Sequence, residues 1–256
     1  MKTPDFLYHY TSLQVLALIL ESKTIKFNSL YNVDDMNEKI SRDIINGGKY
    51  CFVSSWTDDP TESIPMWSMY TQLKGLRIGL PVVPFEQYHW KDPFTNELVE
   101  SYLSLDYLYE KDIFPYLTDN ILQKVIYTNE DNKLIPELKS YQENGFHVEY
   151  TKLGKYKKDI WSFQNEWRYI LYVRPVRLSD YLSSIEHGKR KYAYNIKKSM
   201  DLHVDSLFLK ISPQSLKKME ILCAPKMEKG DMILLNSLIN KYCPDIKIKY
   251  SNIKLN

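Results

Sequence analysis

The run Trp161-Ser162-Phe163-Gln164-Asn165-Glu166-Trp167-Arg168-Tyr169-Ile170-Leu171-Tyr172-Val173 decides how the chain is read. From Trp167 to Val173 it is aromatic and β-branched with one charge, the pattern of a mostly buried strand. Gln164 and Glu166 stand at the mouth of that strand. Two apart on an extended chain, their side chains are expected on one face, framed by Trp161 and Trp167. A carboxylate held there can accept from a ligand hydroxyl and stabilise developing positive charge. The plainer alternative is a strand-end Glu166 neutralised by Arg168 or a nearby lysine.

Working outward, 256 residues with 44% apolar and 26% charged content describe a single large domain with a buried core, and short strands interleaved with short helices in no strict βαβ rhythm place it in the α+β class. The sequence holds 21 Tyr against 8 Gly, a supply of amphipathic rings suited to clefts, or a reflection of genome composition. The net charge of +2 says little, but its distribution is uneven. From Lys189 onward there are 14 Lys and Arg against 6 Asp and Glu, which suits a nucleic-acid partner or a solvated rim; the spread of the lysines favours the rim. Cys51, Cys223 and Cys243 lack any CxxC or Cys/His ligand spacing, so reduced thiols and no metal site are expected. No signal-peptide core and no membrane-length apolar run are present, so a cytoplasmic protein without membrane contact is expected.

Phe6 to Tyr10 reads as a strand, and Thr11 or Ser12 as the cap of a helix through Glu21. Thr24 to Phe27 is a second strand, followed by a polar loop, Asn28 to Glu38, and a helix near Ile40–Ile45 ended by Gly47-Gly48. Tyr50 to Trp56 is a buried strand, Ser63 to Thr71 a short helix, and Gly75 to Leu80 a strand. Residues 82–158 are expected to form a helical insertion on a core of 1–81 and 159–256. The insertion would carry a helix at Leu103–Tyr109, a strand at Lys124–Tyr127 and a helix at Ile135–Gln142. Strands at Ser206–Ile211, Met219–Ala224 and Ile246–Tyr250 and a helix at Lys229–Lys241 complete the chain. Neither GxGxxG nor GxxxxGK[ST] occurs, so conventional nucleotide folds are not expected.

Three patches place polar residues at the end of a buried strand. His9, flanked by Tyr8 and Tyr10, faces either a cleft or the core. Ser54, Ser55, Trp56 and Thr57 precede Trp67 and Tyr70, which are three apart on a helix and are expected to share a face; that face either stacks a planar ring or packs on the core. Gln164 and Glu166 are the third patch.

The phrase Leu7-Tyr8-His9-Tyr10-Thr11-Ser12-Leu13 through Ile25-Lys26-Phe27 resembles the opening of a bacterial family known as domain of unknown function 2971. Asn32 to Glu38, Val53 to Trp56, Met66 to Tyr70 with Gly75 to Gly79, and Asn165 to Arg168 match in order. The opening is also similar to DarT-type ADP-ribosyltransferases and, more distantly, to RNA 2′-phosphotransferases. The resemblance implies a core of two small, packed, mostly antiparallel sheets and NAD as substrate. His9, with Tyr10 and Thr11, would hold the ribose, with His9 donating to a ribose hydroxyl. Ser55, Trp67 and Tyr70 would frame the nicotinamide, Glu166 would be the catalytic carboxylate, and Gln164 would touch the acceptor. The loop Asn32–Glu38 lacks the arginine of DarT-type enzymes, a place Arg77 or Arg42 could take. The acceptor would be a macromolecule, nucleic acid or protein, and the setting a toxin or anti-phage effector with an antitoxin or sensor partner. A non-catalytic nucleotide- or nucleic-acid-binding module and an NAD glycohydrolase are the alternatives.

Overall fold

Ser12 ends the first strand and starts the first helix, its hydroxyl accepting from the Val15 N–H at 3.2 Å. This junction belongs to a computed structural model that describes residues 3–143 and 145–255. Strand β1 (Phe6–Thr11) leads into α1 (Leu13–Ser22), β2 (Thr24–Ser29) and β3 (Cys51–Thr57). Helix α2 (Ile64–Thr71) is capped by the Ser63 side chain and has Pro65 in its first turn, as the sequence predicts. β4 (Leu76–Pro81), the ribbon β5 (Tyr88–Lys91) with β6 (Leu98–Ser101), α3 (Leu105–Lys111), β7 (Ile113–Tyr116), β8 (Leu122–Lys124), β9 (Ile126–Tyr127) and α4 (Asp131–Leu134) follow. Next come the hairpin β10 (Lys139–Gln142) and β11 (Gly145–Val148), then β12 (Tyr156–Lys157) and the long β13 (Glu166–Arg177). The chain closes with α5 (Leu178–Ser183), α6 (Ile185–Lys198), β14 (Ser206–Lys210), α7 (Pro213–Lys217), β15 (Glu220–Cys223), α8 (Lys229–Tyr242) and β16 (Ile248–Tyr250).

The α+β class holds. Instead of two separate sheets, ten strands join into one, in the order β14-β2-β3-β1-β4-β15-β16, with β13 on the other edge of β3 and β7 and β8 on β13. Within it only β15 and β16 run parallel. The join between halves is narrow: β1 meets β3 at the single pair Tyr8↔Thr57, whereas β13 runs beside β3 from Glu166↔Thr57 to Tyr172↔Cys51.

Alternation along β13 separates two cores. Trp167, Tyr169 and Val173 enter the larger one, with Leu16, Leu20, Phe52 and Leu235. Ile170 and Tyr172 enter the other, with Leu30, Tyr50, Cys51 and Tyr150. Glu166 and Arg168 continue this second face toward the start of the strand.

Four further sequence expectations need correction here. Residues 40–45 form turns, not a helix: the Asp35 carboxylate accepts from the Asn37 N–H at 3.0 Å, and short backbone bonds such as Ile40 N–H to Asn37 O follow. Residues 135–142 are not helical either. The Asp43 carboxylate accepts from the Leu138 and Lys139 N–H groups at 2.9 and 2.6 Å, holding the chain extended into the β10–β11 hairpin. The segment 82–158 is accordingly mostly strand and turn, and its β7 and β8 extend the main sheet on β13. The expected strand 124–127 divides, β8 pairing with β13 and β9 with β12.

Among the described residues no helix is long and apolar enough to cross a membrane. Cys51, Cys223 and Cys243 are free thiols.

Candidate active site

β3 offers its second edge to two partners that do not meet. β2 pairs at Phe52 and Val53, β1 at Thr57, and between them the edge is left open. His9 fills part of that gap, its Nδ1 lying 2.8 Å from the Ser55 carbonyl. A carbonyl only accepts, so Nδ1 carries the proton. Burial pushes the His9 pKa down, which keeps the ring neutral and leaves Nε2 as an acceptor. The expected donation from His9 to a ribose hydroxyl is therefore reversed: the hydroxyl would donate to His9.

The gap opens into a cavity of about 230 Å³ whose walls come from β1, β3, α2, β12, the start of β13 and the loop after β2. His9, Tyr10, Ser55, Tyr70, Gln164 and Glu166 all line it, so six of the eight expected site residues converge. The other two do not. Trp67 is fully buried at 0% exposure, packed edge-on against Tyr10 at 4.7 Å, with its indole N–H on Glu62. Helical spacing was satisfied, but Trp67 faces the core and Tyr70 the cavity, so the two do not form one stacking face. Thr11, the last residue of β1, lines a neighbouring cavity of about 460 Å³ that shares His9, Asn28, Val33 and Ser55 with the first. Tyr10 shows the cavity its ring, while its hydroxyl accepts from the Ser63 N–H at 3.2 Å.

Gln164 reaches the site by an unexpected route. It is not on the strand: a 3-10 helix over Asp159–Gln164 ends at Asn165, whose φ of 44° turns the chain into β13. The side chains of Gln164 and Glu166 still meet, because the Lys157 ammonium donates to Gln164 Oε1 at 2.7 Å and to Glu166 Oε2 at 3.0 Å. The Gln164 amide donates in turn to the Tyr70 hydroxyl at 2.6 Å. Its Oε1 and one amide hydrogen are engaged within the protein, and the second amide hydrogen is left for a further partner. Trp161 stands 4.9 Å from the Lys157 ammonium, whereas Trp167 turns into the larger core and frames nothing here.

Glu166 sits between two cations. Arg168 gives its Nε to Oε1 at 2.6 Å and its Nη2 to Oε2 at 3.1 Å, Lys157 adds a bond to Oε2 at 3.0 Å, and the Ser55 hydroxyl stands close enough to favour the charged form. Burial raises the Glu166 pKa, but the Arg168 and Lys157 charges and these hydrogen bonds outweigh it and bring it down to about 2. Arg168 is held on its far side by Glu38, Nη1 to Oε1 at 2.7 Å, and by the Gly154 carbonyl at 3.2 Å. Gly154 presents that carbonyl with φ +75°, and a Cβ there would meet Ile170 at 3.1 Å. Lys157, Arg168, Glu166 and Glu38 thus form a buried quartet of formal charge zero at the cavity floor.

The sequence reading missed Lys157, Glu38 and Asp34. Asp34 lines the cavity and raises the Tyr70 pKa through its charge, behind burial and Glu166. No local pattern marks Lys157, whose partners lie seven and nine residues away, beyond a turn. The acidic run of the loop Asn32–Glu38 was the available signal for the other two. Arg77 does not reach the cavity: its guanidinium is held by the Pro60 and Thr61 carbonyls at 2.9 Å each, with the Tyr8 ring 4.5 Å away. Arg42 is exposed and outside the cavity lining.

Comparison with known proteins finds no matching family model, no similar curated protein and no solved structure of matching fold.

Proposed function

We propose that the chain is an ADP-ribosyltransferase-like enzyme that takes NAD into this cleft and transfers ADP-ribose to a macromolecular acceptor. The observation that carries the reading is the convergence of His9, Ser55, Tyr70 and Glu166, from four separate elements, on one cavity. A cavity of about 230 Å³ is below the usual range for a whole ligand, roughly 300–1,000 Å³. It suits the nicotinamide-riboside end, with the adjoining cavity of about 460 Å³ left for the rest of the dinucleotide.

In this reading His9 Nε2 accepts from one ribose hydroxyl. The ribose 2′-OH donates to Glu166 from the side of the Ser55 hydroxyl, where the charged donors Lys157 and Arg168 hold the carboxylate in place. Negative charge from Glu166, with Asp34 at the wall, then stands near the oxocarbenium-like ribose as nicotinamide leaves. A second reading, NAD bound without turnover, draws support from the same carboxylate: Lys157 and Arg168 already offset its charge.

Nicotinamide release and NAD binding by calorimetry, measured on wild type and Glu166→Gln, separate the two. The enzyme reading expects release by wild type and a loss of roughly 10²–10³-fold in the variant with binding retained. Binding with no release in either protein favours the second reading, and no binding at all ends both.

A further inference from the structure

Helix α6 presents an outward face that the cleft does not use. Its buried side is set by Gly188, Tyr192 and Ile196, with the Tyr192 hydroxyl 3.0 Å from that of Tyr150 and the Asn195 amide on the Pro175 carbonyl. Opposite that side stands Tyr194, 56% exposed. At helical spacing its neighbours are Arg190 and Lys191, four and three residues before it, and Lys197 and Lys198, three and four after. With Lys189 the helix carries five exposed cations against one carboxylate, Glu186 in its first turn. Among the described residues none of the five forms an ion pair. Lys197 and Lys198 complement the helix C-terminus. Arg190 and Lys191 sit mid-helix and have no such explanation.

An exposed ring set among unpaired cations matches the chemistry of an unpaired nucleic-acid strand, whose bases offer free faces for stacking and whose phosphates need cations. A duplex offers no free base faces. A bilayer would need aliphatic side chains on the Tyr194 face, and Ile185, the exposed aliphatic of this helix, lies about 180° away around the axis.

We infer that the outward α6 face, with Tyr194 at its centre, binds single-stranded nucleic acid through its phosphates and bases. The inference does not depend on the NAD reading, and its test contains no NAD.

The test is fluorescence anisotropy of a labelled single-stranded 20-mer, compared with the same sequence as a duplex, across a salt titration. Three variants join the wild type: Arg190→Gln/Lys191→Gln/Lys197→Gln/Lys198→Gln, Tyr194→Ala, and a control losing the same charge elsewhere, Lys217→Gln/Lys218→Gln/Lys229→Gln/Lys247→Gln. Wild type should bind the single strand more tightly than the duplex. The α6 charge variant should lose at least about tenfold at low salt and flatten the log–log salt slope by about 3, the expectation for four phosphate contacts on a single strand. The tyrosine variant should weaken binding with the slope unchanged, and the control should bind as wild type does. All substituted positions are exposed, so thermal melts should show every variant folded, with the α6 charge variant lowered only by the small helix-end contribution of Lys197 and Lys198. No binding of the 20-mer by wild type at low salt overturns the inference. So does an equal loss in the control, a duplex bound as tightly as the single strand, or α6-dependent binding to anionic vesicles in place of oligonucleotide.

Discussion

Glu38 and Arg168, 130 residues apart, meet as a buried ion pair with Arg168 Nη1 2.7 Å from Glu38 Oε1. The pair fastens the loop after β2 to the first turn of β13, and that loop supplies Asn32, Val33 and Asp34 to the cavity wall. Arg168 is also the main cation on Glu166, so one guanidinium serves both the wall and the candidate catalytic carboxylate. Replacing Arg168 by Ala strands the buried Glu38 carboxylate and leaves Glu166 with Lys157 as its one paired cation. Denaturant unfolding should show a loss of roughly 3–5 kcal/mol, the range for breaking a buried pair from one side. A loss below 1 kcal/mol would mean that the quartet is not a structural fixture.

Acid should act on the same quartet through Glu166. Its folded pKa, about 2, lies below the ordinary 4.5, so its stabilisation is complete above the ordinary value and is lost as pH falls from about 5 to about 2. Glu38 runs the other way. Burial raises its pKa, so its charged form costs stability near neutrality and its protonation relieves that cost first. Unfolding midpoints followed from pH 6 to pH 2 should fall below about pH 5 in wild type. They should fall less steeply in Glu166→Gln, which starts from a lower stability.

His9→Asn and His9→Gln divide the work of the two ring nitrogens. The Asn amide can occupy the Nδ1 position and keep the bond to the Ser55 carbonyl while removing the Nε2 acceptor. Calorimetry should then show NAD binding weakened by roughly tenfold, the equivalent of one hydrogen bond, with the melting temperature little changed. His9→Gln can supply an acceptor near the Nε2 position and should retain more affinity than His9→Asn. Equal affinity for all three proteins would remove His9 from the binding role.

Trp67 and Tyr70 should behave as different kinds of residue despite their spacing. Trp67→Ala empties a fully buried site and should lower stability by roughly 3–5 kcal/mol. Tyr70→Phe leaves the Gln164 amide without its acceptor, a loss of about 1–3 kcal/mol, and changes the polarity of the cavity wall. Ligand affinity should shift in Tyr70→Phe under conditions where both proteins are folded. An affinity change confined to Trp67→Ala would reverse these assignments.

The strands carrying the site were legible because their burial is periodic. β1, β3 and β4 fall within a residue of the expected bounds, β13 begins one residue early and runs four beyond Val173, and His9, Ser55 and Glu166 emerged on these strands. What failed was non-local. Leu138 and Lys139 are held extended by Asp43, a partner about 95 residues away, so local helix propensity at 135–142 was overridden. Lys157 binds Glu166 across a turn that an αL Asn165 creates, and no spacing rule anticipates it. Gln164 was placed beside Glu166 on the assumption of an extended chain; the neighbours are right, and Lys157 rather than strand geometry brings them together. Trp67 and Tyr70 show the limit of helical spacing, which gives angular proximity but not which of two residues the core will take.

The lone Tyr8↔Thr57 pairing between β1 and β3 gives the cleft a mechanical character. On one side of it stands β3 with its full-length partner β13; on the other stands β1 with its six-pair partner β4. Each half is laced internally, while between them one backbone rung and the His9–Ser55 bond span the opening. A molecule lodged there would act as an added rung. Amide exchange at the ends of β1 and β3 should slow on ligand binding more than exchange along the β1–β4 or β3–β13 ladders, which are already closed.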